Sequence, residues 1–203
     1  MMAVRRAGGW FLGLGLVLLG VACQPAPSGP AAEGTPFPPL TVRGRDGAPV
    51  PWPLPPGRLR VVNVWAVWCP PCRKEMPDLQ RLDAALRDEG IVVTTLAVED
   101  DPFLVEEFRR RYRLRLPVAL IDQRRAETRL GVYDYPLTLL VDAGGVIRMR
   151  LHGALDWNHP GMRALLRDLA AGRSVSAQRR EAVIAEARSR FVQQALQRQE
   201  EGA

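Results

Sequence analysis

Two cysteines stand at the junction of a strand-like run and a helix-like run, and this junction constrains the fold more than any other feature. Residues 59–67 form a long β-branched run, which is typical of a buried strand. Cys69 and Cys72 follow, and residues 69–89 then carry apolar side chains at helical spacing up to a stop at Gly90. The sequence therefore predicts a strand that ends just before the first turn of a helix, with a dithiol at the boundary.

The alternation of strands and helices continues along the chain. Further strands are predicted at residues 91–98, 118–121, 137–141 and 146–151, and further helices at residues 102–112, in a short segment up to Leu130, and through residues 162–169. Asp46-Gly47 is the turn signal of a short leading hairpin. The predicted fold class is α/β, with a central mixed β-sheet flanked by helices.

Composition divides the chain into four parts. Residues 1–22 are typical of an export signal of the lipoprotein type. Residues 23–39 are mostly Pro, Ala, Gly and Ser, which predicts a flexible tether. Residues 40–172 hold the α/β domain, and residues 173–203 are predicted to be a C-terminal helical extension.

The N-terminal segment predicts the compartment. Arg5 and Arg6 precede an apolar run that is shorter than the roughly 20 residues a membrane-spanning helix needs. The run ends in Leu19-Gly20-Val21-Ala22-Cys23, which resembles a lipobox, so Cys23 is the expected lipidation site. An uncleaved signal anchor is the alternative. Both predict a domain on the extracytoplasmic side of the cell envelope, anchored to a membrane.

Charge patterning argues against nucleic-acid binding. The formal net charge is +6, but the basic residues are scattered among acids and no aromatic-basic platform is present. A solvated, arginine-rich surface is the better interpretation.

The cysteine count points to chemistry rather than to structural cross-linking. With Cys23 assigned to lipid, Cys69 and Cys72 remain, and a disulfide between them closes almost no loop. At a helix N-terminus, unpaired backbone N–H groups and the macrodipole favour a thiolate. Cys69 is therefore predicted to be the exposed nucleophile. Cys72, nearly one turn further in, is placed to attack a mixed disulfide on Cys69.

The residues around the dithiol carry further predictions. Pro70 and Pro71 fit the first helical turn, and Pro77 is expected to kink the helix. Glu75 stands three residues after Cys72, where its carboxylate would take or hold a proton as the buried thiol ionises. The alternative is that Glu75 is an ordinary surface acid.

A zinc site and a peroxidase are both disfavoured. A Cys-x-x-Cys pair needs two more thiolate or imidazole ligands to bind zinc, and only His152 and His159 remain, far along the chain. Both are interpreted as surface or packing residues. We expect no metal, and no cofactor apart from the redox-active disulfide itself. No separate cysteine in a Thr-x-x-Cys setting supports peroxidase chemistry.

The motif resembles that of a known family. Trp-Ala-x-Trp-Cys-x-Pro-Cys-x-x-Glu-x-Pro, which begins at Trp65, is similar to the thioredoxin-like TlpA, ResA and DsbE (CcmG) oxidoreductases of the bacterial envelope. The resemblance covers about residues 37–170 and includes Gly-Val-Tyr-x-x-Pro-x-Thr from Gly131. It implies a thioredoxin-like fold and thiol–disulfide oxidoreductase activity.

The resemblance also implies roles for individual residues. Pro136 would be cis and face the dithiol, while the backbone of Tyr135 would hydrogen-bond to an extended substrate. Trp68 and Pro71 complete the expected substrate-binding set. Glu75 matches the active-site glutamate of the ResA and DsbE proteins.

Partners follow from the same resemblance. The implied clients are disulfide-bearing proteins, such as apocytochrome c with its haem-binding cysteines, and the implied electron donor is a membrane thiol carrier of the DsbD/CcdA type. A general envelope reductase and a reductase for copper-site assembly are alternatives. A non-catalytic client-binding lipoprotein is the alternative from another class. The C-terminal extension is either a helix packed on its own domain or a docking helix for a partner or dimer.

Overall fold

The computed structural model of the chain describes residues 30–44 and 47–200. The predicted export signal, Cys23, the first part of the predicted tether and Asp46 of the hairpin turn lie outside the described residues. The strands are β1 (Leu40–Arg43), β2 (Pro49–Trp52), β3 (Leu59–Trp65), β4 (Ile91–Val98), β5 (Val118–Ile121), β6 (Leu137–Asp142) and β7 (Ile147–His152). The helices are α1 (Pro70–Leu86), α2 (Pro102–Arg111), α3 (Gln123–Leu130), α4 (Pro160–Ala170) and α5 (Ala177–Glu200).

The strands form one mixed sheet in the order β2-β1-β5-β4-β3-β6-β7. The central strands β3, β4 and β5 run parallel to one another. β6 pairs antiparallel with β3, and the hairpin of β1 and β2 joins β5 at the other edge. The predicted α/β class, with a central mixed sheet and a short leading hairpin, is confirmed.

The strand β3 is the centre of the core. All seven of its residues are buried, because it is paired on both sides and covered on both faces. Val61 and Trp65 pack into a cluster with α1 and α4, while Val62 and Val64 pack into a second cluster on the opposite face. Each fully buried aliphatic side chain of this kind contributes roughly 1.5–3 kcal/mol to folding.

The junction between β3 and α1 is tighter than the sequence predicts. The strand predicted over residues 59–67 ends at Trp65, since the Ala66 carbonyl accepts a hydrogen bond from the Cys69 N–H at 3.2 Å in a turn. Helix α1 then begins at Pro70, directly after Cys69 as its N-cap residue. The chain therefore turns within four residues from the sheet centre to the helix start.

The prediction of a flexible tether up to residue 39 is wrong for its last part. The Ala31 N–H donates to the Arg129 carbonyl at 3.0 Å, and the Phe37 N–H donates to the Gly145 carbonyl at 2.8 Å. Ala31 itself is buried. Residues 31–37 belong to the folded domain because the turn between β6 and β7 and the end of α3 satisfy their backbone groups.

The C-terminal helix packs on its own domain. Val183, Ala187 and Phe191 are buried, and the first two join the cluster that also contains α1 and α4. The first of the two interpretations of this extension is therefore the one that the structure shows. Within residues 30–44 and 47–200, no helix has the length and apolar character needed to cross a membrane.

Candidate active site

Cys69 and Cys72 form a disulfide at the start of α1, with 5.3 Å between their Cα atoms. Cys69 is the N-cap residue, and its Sγ accepts a hydrogen bond from the Cys72 N–H at 3.3 Å. The sulfur thus lies at the positive end of the helix, where negative charge is stabilised. This is the helix-terminal location that the sequence predicts for the nucleophilic cysteine.

The prediction that Cys69 is exposed is wrong. The residue is 4% exposed and Cys72 is 0% exposed, so both sulfurs are largely shielded. The Cys69 side chain folds back over the first turn of α1, where the hydrogen bond and the disulfide hold it. Cys69 remains the more accessible of the two, and the expected order of attack is unchanged.

Two of the predicted substrate-binding residues, Trp68 and Tyr135, contact each other beside the dithiol turn. The Tyr135–Pro136 peptide bond is cis, as the resemblance implies. The rings of Trp68 and Tyr135 meet edge to face, with 5.3 Å between their centroids. This contact joins the turn before α1 to the loop before β6. Trp68 is 63% exposed, and Pro71 is also exposed, so this part of the site faces solvent.

Glu75 is fully buried and holds three hydrogen bonds. The Asn63 Nδ2 donates to Oε1 at 2.9 Å. The Trp157 Nε1 and the Leu155 N–H donate to Oε2 at 3.0 and 3.2 Å. The alternative interpretation of Glu75 as a surface acid is therefore wrong.

Burial raises the pKa of Glu75 from 4.5 to about 7. Hydrogen bonds from Trp157, Asn63 and Leu155 oppose this rise, and the nearby carboxylate of Asp78 adds to it. A carboxyl group with this pKa gains and loses a proton near neutral pH, which is the property a general acid–base group needs.

Sequence reasoning missed the residues that hold Glu75. Asn63 bridges two partners, since its Nδ2 also donates to Thr138 Oγ1 at 2.9 Å. A signal for Asn63 was present, because it interrupts the otherwise apolar residues 61–65 of β3. Trp157 lies in a loop 82 positions from Glu75 and carried no such signal.

The two histidines pair with acids. His152 Nδ1 lies 2.8 Å from the Asp134 carboxylate, and His159 Nε2 lies 3.6 Å from that of Glu186. Among the described residues, no group of three or more His, Cys, Asp or Glu side chains is arranged to hold a metal ion.

Comparison with known proteins identifies the family. Residues 34–150 match the model of the AhpC/TSA family, which is more than half of the chain. The chain belongs to the AhpC/TSA family. This AhpC/TSA protein is 29% identical over 92 residues to the thiol-disulfide oxidoreductase ResA of Bacillus thuringiensis subsp. konkukian, across 45% of this chain and 53% of ResA. It is 37% identical over 101 residues to the thiol:disulfide interchange protein DsbE of Allochromatium vinosum, across 49% and 54% of the two chains.

The AhpC/TSA chain thus spans about half the length of the curated relatives that it matches. Among solved structures, it resembles a thiol:disulfide interchange protein of the thioredoxin family from Chlorobium tepidum, with a TM-score of 0.53 and 23% identity. The match covers 70% of this chain and 97% of that one. At this identity the likeness shows the fold, and the predicted thioredoxin-like fold and resemblance to ResA and DsbE are confirmed.

Proposed function

We propose that this chain is a thiol–disulfide oxidoreductase that exchanges the Cys69–Cys72 disulfide with cysteines of client proteins. The observation that carries the proposal is the disulfide at the N-terminus of α1 with the buried, protonatable Glu75 one turn further along the same helix. The names of the relatives ResA and DsbE support the same activity.

In the reducing direction, the reaction proceeds in two exchange steps. The Cys69 thiolate attacks a client disulfide, forms a mixed disulfide and releases one client thiolate. The Cys72 thiolate then attacks Cys69 Sγ, forms the Cys69–Cys72 disulfide and releases the second client thiolate. Two electrons pass from the protein to the client.

Glu75 carries the proton of the second step. Cys72 is 0% exposed, so solvent has little access to its thiol proton. In the proposed mechanism, the Glu75 carboxylate accepts this proton as Cys72 becomes a thiolate, and returns it when the dithiol is regenerated. The pKa of about 7 suits both directions near neutral pH.

An extended client segment would lie across Trp68 and Tyr135. Within the described part of the chain, no hydrogen bond engages the backbone N–H or C=O of Tyr135, so both are free to pair with a client strand. Tyr133 is 78% exposed two residues earlier and adds apolar surface. Pro136 is buried, and its carbonyl accepts a hydrogen bond from the Gly153 N–H at 2.8 Å.

The physiological setting is proposed from the sequence. An export signal and a lipidated Cys23 would hold the domain at the outer face of a membrane in the cell envelope. We propose that the protein works there as a reductase supplied by a membrane thiol donor of the DsbD/CcdA type. Its clients would include the haem-binding cysteines of apocytochrome c, and general or copper-site reduction remains the alternative.

A trapping experiment tests the activity. In the full chain with Cys23→Ser, the further change Cys72→Ser leaves Cys69 without its resolving partner. Incubation with a peptide containing a disulfide-bonded Cys-x-x-Cys-His should yield a covalent adduct on Cys69, detected by mass spectrometry. The matched control carries Cys69→Ser instead of Cys72→Ser in the Cys23→Ser chain, and it should yield no adduct. A binding protein without turnover would give no adduct with either variant.

The reduction potential of the Cys69–Cys72 couple tests the direction. Equilibration with glutathione buffers should give a value near or below that of thioredoxin, about −270 mV, if the protein is a reductant. A value near that of DsbA, about −120 mV, would contradict the reductase and favour a disulfide-forming oxidase.

A further inference from the structure

A loop of three residues lies between Glu75 and the C-terminal helix. Leu155 and Trp157 supply two of the three hydrogen bonds to Glu75, both to the same oxygen, Oε2. Asp156 stands between them in sequence. Leu155 and Trp157 thus bind the Glu75 carboxyl, whereas Asp156 between them binds α5.

Asp156 is bound by α5. Its backbone N–H donates to the Ala187 carbonyl at 3.0 Å. Its Oδ2 accepts a hydrogen bond from Gln194 Nε2 at 3.2 Å and lies 3.4 Å from the Arg190 Nε. Its Oδ1 accepts a hydrogen bond from the Asn158 N–H at 2.9 Å. Asp156 is 2% exposed, and Arg190 is the cation that lies beside its charge.

Helix α5 also holds both flanks of this loop. The Arg188 guanidinium donates to the His152 carbonyl at 2.8 Å on one side. Glu186 lies 3.6 Å from His159 on the other side. These contacts hold the middle of the loop and both of its flanks against α5.

We propose that α5 is a positioning element of the active site, in which Arg190 and Gln194, through Asp156, hold the donors of residues 155 and 157 against the Glu75 carboxyl. This inference rests on the proposed function, because it assigns α5 control over the proton that the exchange reaction uses. The matched part of the AhpC/TSA family ends at residue 150, so both the loop and the helix lie beyond it.

The direction of the effect follows from the groups around Glu75. Strands β3 and β6 present the uncharged Asn63 and Thr138, and α1 presents the Asp78 carboxylate, which raises the pKa of Glu75. The loop adds Asp156, whose charge Arg190 offsets. Loss of the α5 side chains therefore loosens the loop and weakens two donors to the Glu75 carboxylate. Weaker donors disfavour the charged form of Glu75.

The direct test is an NMR titration of the Glu75 side-chain carboxyl carbon in the disulfide form, in which neither cysteine titrates. The variant is Arg190→Ala with Gln194→Ala. We expect its titration midpoint to rise by about half a pH unit or more relative to the parent chain. An unchanged or lowered midpoint in a folded variant would overturn the proposal.

Two matched variants separate positioning from general stabilisation. Arg179→Ala removes another α5 arginine, which pairs with Asp168 of α4 at 2.8 Å, and should leave the midpoint unchanged. Arg190→Lys keeps a positive charge near Asp156 and should restore the parent midpoint when Gln194 is intact. If the double variant does not fold, Gln194→Ala alone should raise the midpoint by a smaller amount, and no rise would overturn the proposal.

The titration involves no client and no turnover. Its outcome is therefore independent of whether the protein exchanges disulfides. A second measurement links the two proposals: in the reduced chain, the pH midpoint for alkylation of Cys72 should move in the same direction as that of Glu75. A shift in Glu75 without a shift in Cys72 would keep α5 as a positioning element and contradict the proton role of Glu75.

Discussion

At the scale of single residues, the acid that follows Cys72 by three positions, Glu75, is buried with both carboxyl oxygens hydrogen-bonded. Desolvation is the largest influence on its pKa, and the three donors only partly oppose it. A glutamine at this position would keep the shape and the hydrogen bond from Asn63 but could not exchange a proton.

We therefore expect Glu75→Gln to slow the second exchange step by about a hundredfold near pH 7, since a positioned acid or base contributes about that much. The measurement is the decay of a preformed mixed disulfide on Cys69 between pH 5 and pH 9, followed by stopped flow. In the parent chain, the decay rate should depend on pH with a midpoint near the Glu75 pKa of about 7, and in the variant this dependence should be absent. Asp88→Asn, which changes an exposed acid just after α1, is the control. An equally slow control, or an unchanged variant, would contradict the role of Glu75.

Local sequence identifies some of these residues and not others. The dithiol was predictable from its spacing at the start of a helix, and the cis Pro136 was predictable from the resemblance to the ResA and DsbE proteins. The burial of Glu75 was not predictable, because two of its donors lie 80 and 82 positions away. The low exposure of Cys69 likewise depends on packing that no local pattern records.

At the scale of elements, one arginine of β7 adds side-chain hydrogen bonds to the backbone contacts of the N-terminal segment. The Arg150 guanidinium donates to the carbonyls of Ala31, Leu130 and Gly131 at 2.5, 2.8 and 3.1 Å. Its backbone N–H donates to Glu33 at 2.8 Å. Partial burial lowers the pKa of Arg150, although the guanidinium remains charged. One side chain therefore joins the segment before β1 to the end of α3.

We expect Arg150→Leu to release residues 31–37 from the domain, because three buried carbonyls lose their donor and leucine supplies none. Hydrogen bonds to a charged group contribute roughly 1.5–3 kcal/mol each. The free energy needed to open residues 31–37 should therefore fall by at least about that amount. Hydrogen–deuterium exchange should rise at Gly34 and Phe37, whose N–H groups are bonded to the hairpin of β6 and β7. Arg148→Leu on the same strand, where the side chain lies 3.7 Å from Asp142, is the control. Equal exchange in both variants would contradict the role of Arg150.

Elements with a strong apolar period were predicted well, and those defined by distant partners were not. The bounds predicted for β4 and β5 are those observed, because both strands are rich in apolar and β-branched residues and each is followed by an acidic residue. Residues 31–37 resemble a linker in composition, yet the backbone partners that join them to the domain are more than 90 positions away. The stripe on α5 predicted a helix, but only packing determines which surface it covers.

For the molecule as a whole, the buried acid connects redox chemistry to folding stability. The pKa of Glu75 is about 7 in the folded chain, against 4.5 for an exposed glutamate. Since the folded state binds this proton more tightly, the stabilising contribution is fully present below pH 4.5 and is lost as the pH rises through about 7. The sign is opposite to that of a salt-bridged carboxylate, whose stabilising contribution is lost in acid.

We expect the free energy of unfolding of the disulfide form to fall between pH 4.5 and pH 7 more steeply in the parent chain than in Glu75→Gln. The size of this difference is about 3 kcal/mol, because each unit of pKa difference corresponds to about 1.4 kcal/mol. Urea unfolding at several pH values measures it, and the comparison cancels the titration of all groups that the two chains share. Parallel pH profiles would mean that Glu75 is solvated in the folded state. A difference that grows toward acid, with the parent losing more stability there, would mean that Glu75 is held as a carboxylate instead.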